Sequence, residues 1–158
     1  MIVNWLNKRN VIRIALASLA LFFLMQVVPY GRNYTNPSKI QEPKWDRPAT
    51  RATFMRVCKN CHSNETEWPW YGSVAPFSWL VQSDVDEGRS EFNVSEWGRA
   101  KNKGDEAAQN VRAGHMPPWY YLPPHPEARL TKAEREEFVR GLVLTFGEKV
   151  EKEKGGGK

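Results

Sequence analysis

Two cysteines three positions apart, with a histidine directly after the second, are the densest chemistry in this chain: Cys58-Lys59-Asn60-Cys61-His62. They are its only cysteines, so no wider disulfide framework is available. Two thiols at this spacing can add to the two vinyl groups on one edge of a porphyrin. The histidine after them is then carried under the ring, where its imidazole can bind iron. Cysteine is rare enough that the pattern arises by chance in roughly one chain in a thousand of this length. Other uses of the pair fit less well. A structural zinc site takes four ligands, usually with a second Cys/His pair, and the remaining histidines, His115 and His125, are not at a short helical spacing. A thioredoxin-like pair needs a preceding strand and a βαβ context, and neither is legible around Cys58. The expected cofactor is one haem c, covalently attached through Cys58 and Cys61, with His62 as an iron ligand.

The opposite face of the iron needs its own decision. Of the four methionines, Met1 is the initiator, Met25 lies in an apolar N-terminal run, and Met55 precedes Cys58 by three residues, too close to reach across. Met116 remains, in Gly114-His115-Met116-Pro117-Pro118, where the prolines stiffen the loop. Met116 is therefore the candidate distal ligand, with His115 and His125 as the alternatives. Tryptophans and tyrosines cluster around these motifs, and flat aromatic rings suit a flat apolar cofactor. Trp79 is the candidate among them for packing the haem, although core packing is the ordinary role of any single one. Arg89 is a candidate partner for a haem propionate, since a guanidinium fork matches a carboxylate; a surface ion pair is its alternative.

The elements that must position these residues read as helices. Ala49 to Cys58 comes directly after Pro48, a residue favoured at a helix start, and puts Phe54 and Val57 on one face with Cys58. Pro76 to Val85 carries Phe77, Leu80 and Val81 on one stripe. Asp105 to Ala113 stops at Gly114. The last helix opens on a capping box, Thr131 with Glu134, and repeats Phe138, Leu142 and Phe146 at intervals of four until Gly147. No alternating strand pattern of useful length is present. The expected fold is mostly α, a helical domain with long loops at 49–147. A proline-containing extended linker at 31–48 precedes it, and a disordered charged and glycine-rich tail at 148–158 comes after it.

Residues 11–30, VIRIALASLALFFLMQVVPY, are apolar apart from Arg13 and Gln26. Twenty helical residues cross a hydrocarbon core about 30 Å thick. The absence of a small-x-small pattern after the run favours an uncleaved transmembrane anchor over a cleaved signal segment. Lys8, Arg9 and Arg13 hold a short stub, residues 1–10, in the cytoplasm, so the remainder is exported. These three account for most of the net charge of +5, and beyond them acids and bases interleave. No basic stripe for nucleic acid results.

Taken together, these strings resemble a family of small bacterial haem-binding domain proteins with one c-type haem per domain. The marks are CKNCHSNETEWPW from Cys58 to Trp70, then Val74-Ala75-Pro76 with Ser78-Trp79-Leu80. Asp84 to Arg89, Asn93 to Trp97, Met116-Pro117-Pro118 and His125-Pro126 complete them. The resemblance implies a cytochrome c-like helical fold behind an N-terminal signal or anchor, and Met116 as the distal ligand. The expected function is electron transfer by a single-pass protein of the bacterial inner membrane, its haem domain in the periplasm, or exported and soluble if the N-terminal segment is cut. The membrane and the haem are the expected partners; neither a redox partner nor an oligomeric state is specified. No nucleophile or base cluster accompanies the motif, so an enzyme is not expected. A small peroxidase-like protein or a haem-based sensor, with an open or displaceable sixth position, is the alternative.

Overall fold

In the computed structural model, which describes residues 7–149, the chain is mostly helical and the described residues form no strand. Six α-helices succeed one another: α1 (Lys8–Val27), α2 (Pro48–Val57), α3 (Lys59–His62), α4 (Phe77–Glu91), α5 (Ala107–Ala113) and α6 (Lys132–Phe146). Single 3-10 turns occur at Trp70–Ser73, Gly104–Glu106 and Pro126–Ala128. Most of the expected tail, and residues 1–6 of the expected stub, lie outside the described residues.

Local chemistry sets the helix starts. Pro48 occupies the first turn of α2, where its missing N–H costs nothing. Thr131 accepts a hydrogen bond from the Glu134 amide at 3.2 Å, and the Glu134 carboxylate accepts one from the Thr131 amide at 2.8 Å. The capping box therefore closes as the sequence predicts. α5 ends on Gly114 in the left-handed conformation, φ +77°. Two elements depart from expectation. α4 continues to Glu91, six residues past the predicted end at Val85, and α3 is a single turn that no periodicity announces.

The chain divides into two units. One comprises residues 7–35 with 68–84, the other 36–67 with 85–149, so α4 contributes its first half to the former and its second half to the latter. In the first unit, α1 buries none of its residues and is long and apolar enough to span a membrane or to serve as a signal segment. In the second, Phe54 of α2, Phe92 and Val94 after α4, Ala108 and Val111 of α5, and Phe138 and Leu142 of α6 form the core, with Trp45, Trp97 and Phe146 packed around it.

Residues 36–47, read from sequence as part of a linker, are extended but tied down along their length. The Ile40 and Gln41 amides both donate to the Ser95 carbonyl at 2.8 and 3.0 Å, and the Trp97 amide donates to the Gln41 carbonyl at 3.0 Å. Glu42 accepts both arms of the Arg51 fork at 2.8 Å, together with Lys39 at 2.9 Å and the Trp45 indole at 3.0 Å. The hydrogen bonds from Arg51, ahead of those from Lys39 and Trp45, hold the Glu42 carboxyl far below its ordinary range despite partial burial. A segment without hydrophobic periodicity is thus fixed by partners distant in sequence.

Candidate functional site

Cys58 ends α2 and begins the turn of α3, so the two thiols and the imidazole are set by one stretch of backbone. The Cys61 and His62 amides both donate to the Cys58 carbonyl, at 3.2 and 3.0 Å. Neither Cys58 nor Cys61 is in a disulfide, and both residues are half-buried. Burial, with a smaller contribution from Cys61, pushes the Cys58 thiol well above its usual pKa, so it is held as the neutral S–H. The three side chains do not converge on a point. Among the described residues no group of three His, Cys, Asp or Glu is placed to hold one ion.

The histidine is the most constrained of the three. Its Nδ1 lies 3.0 Å from the Gly88 carbonyl oxygen and 3.2 Å from that of Phe92. Carbonyls only accept, so Nδ1 carries the proton and, in the neutral ring, Nε2 keeps its lone pair. Burial holds His62 below the ordinary imidazole pKa, outweighing the two carbonyl bonds that favour the charged form. The Phe92 ring stacks on the imidazole with centroids 4.3 Å apart and planes 18° from parallel. Phe92 in turn meets Phe54 and Phe146 edge-on, each at 6.0 Å. A ring fixed in plane, with one nitrogen spent on backbone oxygen and the other free, is how proteins orient a histidine for a metal.

Gly88 sits in the part of α4 beyond its predicted end, where the helix meets the cysteine motif. A Cβ at this position would sit 2.5 Å from the Cys61 carbonyl oxygen and 2.8 Å from the Cys61 Cβ, so only glycine lets α4 lie against the motif. A mid-helix glycine costs about 1 kcal/mol in propensity, and here the cost is offset by the approach that delivers the Gly88 carbonyl to His62. Gly88 lies beyond the helix end read from sequence at Val85, so no sequence signal announced this role.

A buried polar network, which sequence reasoning did not resolve into roles, braces the residues after His62. Asn93 donates to the Asn64 side-chain oxygen at 2.7 Å and accepts from the Ser95 amide at 2.9 Å, and the Ser95 hydroxyl accepts from the Asn64 amide at 3.0 Å. Ser63, Asn64, Asn93 and Ser95 are all buried. Arg89, the candidate propionate partner, commits its guanidinium to protein acceptors: the Ser63 carbonyl at 2.9 Å, Asn36 Oδ1 at 2.8 Å and the Thr66 hydroxyl at 2.9 Å. Trp79 sits in the first turn of α4, in the other unit, half-buried, with its indole N–H buried and lacking an acceptor among the described residues.

Met116 lies in the loop after α5. The His115 and Met116 amides both donate to the Asn110 carbonyl, at 3.0 and 3.3 Å, and the Met116–Pro117 bond is cis. Met116 is 39% exposed and lies outside the hydrophobic core cluster. Five residues on, the loop is joined to the cysteine motif: Asn60, between the two cysteines, donates to the Tyr121 hydroxyl at 2.9 Å. Asn60 also accepts from the Glu67 amide at 3.0 Å. His125, one of the alternative ligands, stacks on Tyr121 with centroids 4.1 Å apart and bonds Glu127 through Nδ1 at 3.0 Å. It is thereby engaged in holding this loop. His115, the other alternative, is exposed.

The residues present fit a haem. Two cysteines outside any disulfide share one turn with an imidazole whose Nε2 is left available, and a methionine stands in a loop tied to that turn. Comparison with known proteins gives one match: the model of a family described as a haem-binding domain aligns with residues 20–143, most of the chain. No curated protein and no solved structure matches.

Proposed function

The chain belongs to the haem-binding domain family, and on that premise we propose that it is a membrane-tethered, exported electron carrier. In this reading Cys58 and Cys61 hold one haem covalently, and His62 and Met116 bind its iron. When bound, a haem supplies a one-electron iron couple, and everything else is the work of the chain. Cys58 and Cys61 would hold the haem as thioethers, the S–H of each thiol adding across a vinyl group so that no atom is lost. His62 presents Nε2 because the Gly88 and Phe92 carbonyls hold the proton on Nδ1. Phe92 keeps the ring in plane. The bond from Asn60 to Tyr121 keeps the Met116 loop in register with the cysteine turn. α1, with Lys8 and Arg9 at its start, supplies the tether and directs the haem-binding residues outward.

The observation that carries the reading is the His62 ring, committed on one nitrogen and available on the other. The test is the absorption spectrum of the full chain, expressed with haem-attachment machinery, oxidised and reduced, with carbon monoxide added to the reduced form. We expect a c-type spectrum, haem that stays with the chain after acidic solvent extraction, and no response to carbon monoxide. Met116→Ala is expected to open the sixth position and make the spectrum respond. A native protein that binds carbon monoxide would move the reading to a peroxidase-like protein or a sensor. A chain without covalent haem would sink it.

A further inference from the structure

The end of α1 is built into the unit formed by residues 7–35 and 68–84. Gln26, in the last turn of the apolar helix, forms a reciprocal pair with the Ala75 backbone: its Nε2 donates to the Ala75 carbonyl at 3.0 Å, and its Oε1 accepts from the Ala75 amide at 3.0 Å. Gly31, at φ +82°, lies so close to α4 that a Cβ would fall 2.6 Å from the Ser78 carbonyl group. Tyr34 donates its hydroxyl to the Gly72 carbonyl at 2.7 Å and meets the Trp68 ring edge-on at 5.2 Å. The family match begins at residue 20, inside α1, so the second half of this helix is part of the family's domain.

The segment joined to the end of α1 is uncharged and aromatic, and the charge beside it is Arg32, which donates to the Gln26 carbonyl. No Asp, Glu, Lys or Arg occurs between Glu67 and Asp84. Trp70 is 82% exposed and Phe77 56% exposed, and Leu80 and Tyr30 are also open. Trp70, Tyr71 and Phe77 run on from ring to ring, with centroids 6.0 and 6.4 Å apart. Rings of this size left in water are unfavourable. Tryptophan and tyrosine concentrate where a membrane meets water, their apolar bodies facing lipid and their polar edges facing headgroups. The headgroup layer is about 5–8 Å deep on each side of the hydrocarbon core. A segment hydrogen-bonded to the last turn of a spanning helix is within its reach.

We infer that residues 70–80 form an interfacial foot, with Trp70, Tyr71 and Phe77 lodged in the headgroup layer of the bilayer that α1 crosses. The occupant of this surface is lipid. The inference rests on the membrane-anchor reading of α1. The foot fixes the 68–84 segment at the membrane surface, and Gln26 spends its polar group on Ala75 at the depth where the helix leaves the hydrocarbon.

The test uses the full haem-loaded chain in vesicles of phosphatidylcholine and phosphatidylglycerol, with a photo-crosslinking aromatic residue at one position at a time. Trp70→p-benzoylphenylalanine and, as a second variant, Phe77→p-benzoylphenylalanine probe the foot. Leu16→p-benzoylphenylalanine probes the middle of α1. After illumination, we expect lipid-mass adducts at all three positions. Adducts at Leu16 with none at Trp70 or Phe77 would overturn the foot and leave the anchor standing. No adduct at Leu16, with the chain failing to float with the vesicles, would overturn the anchor and the foot together.

Discussion

The turn from Cys58 to His62 and the loop from Gly114 to Ala128 carry the two faces of the proposed iron site, and they are held in different ways. The turn is over-determined. Gly88 lets α4 lie against it, two backbone carbonyls and Phe92 fix its histidine, and buried Asn64, Asn93 and Ser95 brace the residues just beyond it. The loop is held by scattered ties: the Asn110 carbonyl at its start, the Asn60–Tyr121 bond in its middle, the stack of Tyr121 on His125, and the Arg56 guanidinium donating to the Glu127 carbonyl at 2.6 Å near its end. Its methionine is partly open to water. The lesson is that a permanent ligand can be set by a packed core, whereas a ligand carried on a loop is set by a few polar ties that can be cut one at a time.

The comparison is broken most severely at Gly88. Gly88→Val forces a branched side chain into the Cys61 backbone, and overpacking of this kind costs about 3 kcal/mol. The expected result is a large drop in thermal stability and in the yield of covalent haem, measured by a denaturation curve and by haem content per chain. Asn93→Ala comes next. It leaves Asn64 and the Ser95 amide buried without their partner, for a loss of about 1–3 kcal/mol, read as a lower midpoint in denaturant with the haem spectrum retained.

Tyr121→Phe sharpens the comparison rather than breaking it. It removes the hydrogen bond that joins the loop to Asn60 of the turn, worth about 1 kcal/mol, and leaves the carbonyl bonds and the Phe92 stack that hold His62 in place. Global stability is expected to change little, while carbon monoxide binding to the reduced protein rises as Met116 loses its register. Equal insensitivity of wild type and variant to carbon monoxide would show that the loop does not depend on this tie.

The smallest effect is electrostatic and belongs to the scaffold behind the turn. Glu42 is held below its ordinary carboxyl value of 4.5 by the Arg51 fork first, and then by Lys39 and Trp45. The folded state therefore gives up its proton more readily than the unfolded one. The resulting stability is fully present above the unfolded carboxyl's pKa and is lost progressively as the pH falls below it toward the lowered folded value. Glu42→Gln is expected to flatten the acid side of the stability profile, measured by denaturant midpoints between pH 7 and pH 3, and to leave the sixth-ligand chemistry unchanged.

Much of this molecule was legible in short stretches of sequence because the physics there is local. The spacing of Cys58, Cys61 and His62 places three groups within one turn whatever surrounds them. The Thr131–Glu134 box starts a helix by satisfying its own amides, and an apolar run of the length of α1 announces itself by composition. Periodicity placed Phe54, Phe138 and Leu142 in a core. The features it did not announce depend on partners far along the chain. The proton on His62 Nδ1 is assigned by carbonyls 26 and 30 residues away. The second half of α4 packs on the motif because Gly88 can meet Cys61, and residues 36–47 are tied to Ser95 and Arg51 by hydrogen bonds. Asn60 gained a role only when Tyr121 came to it across 61 positions. Sequence alone determined which groups could attach and ligate a haem. Tertiary structure decided which nitrogen is offered and which loop is tied to the turn, because hydrogen-bond direction and close packing exist only once distant segments meet.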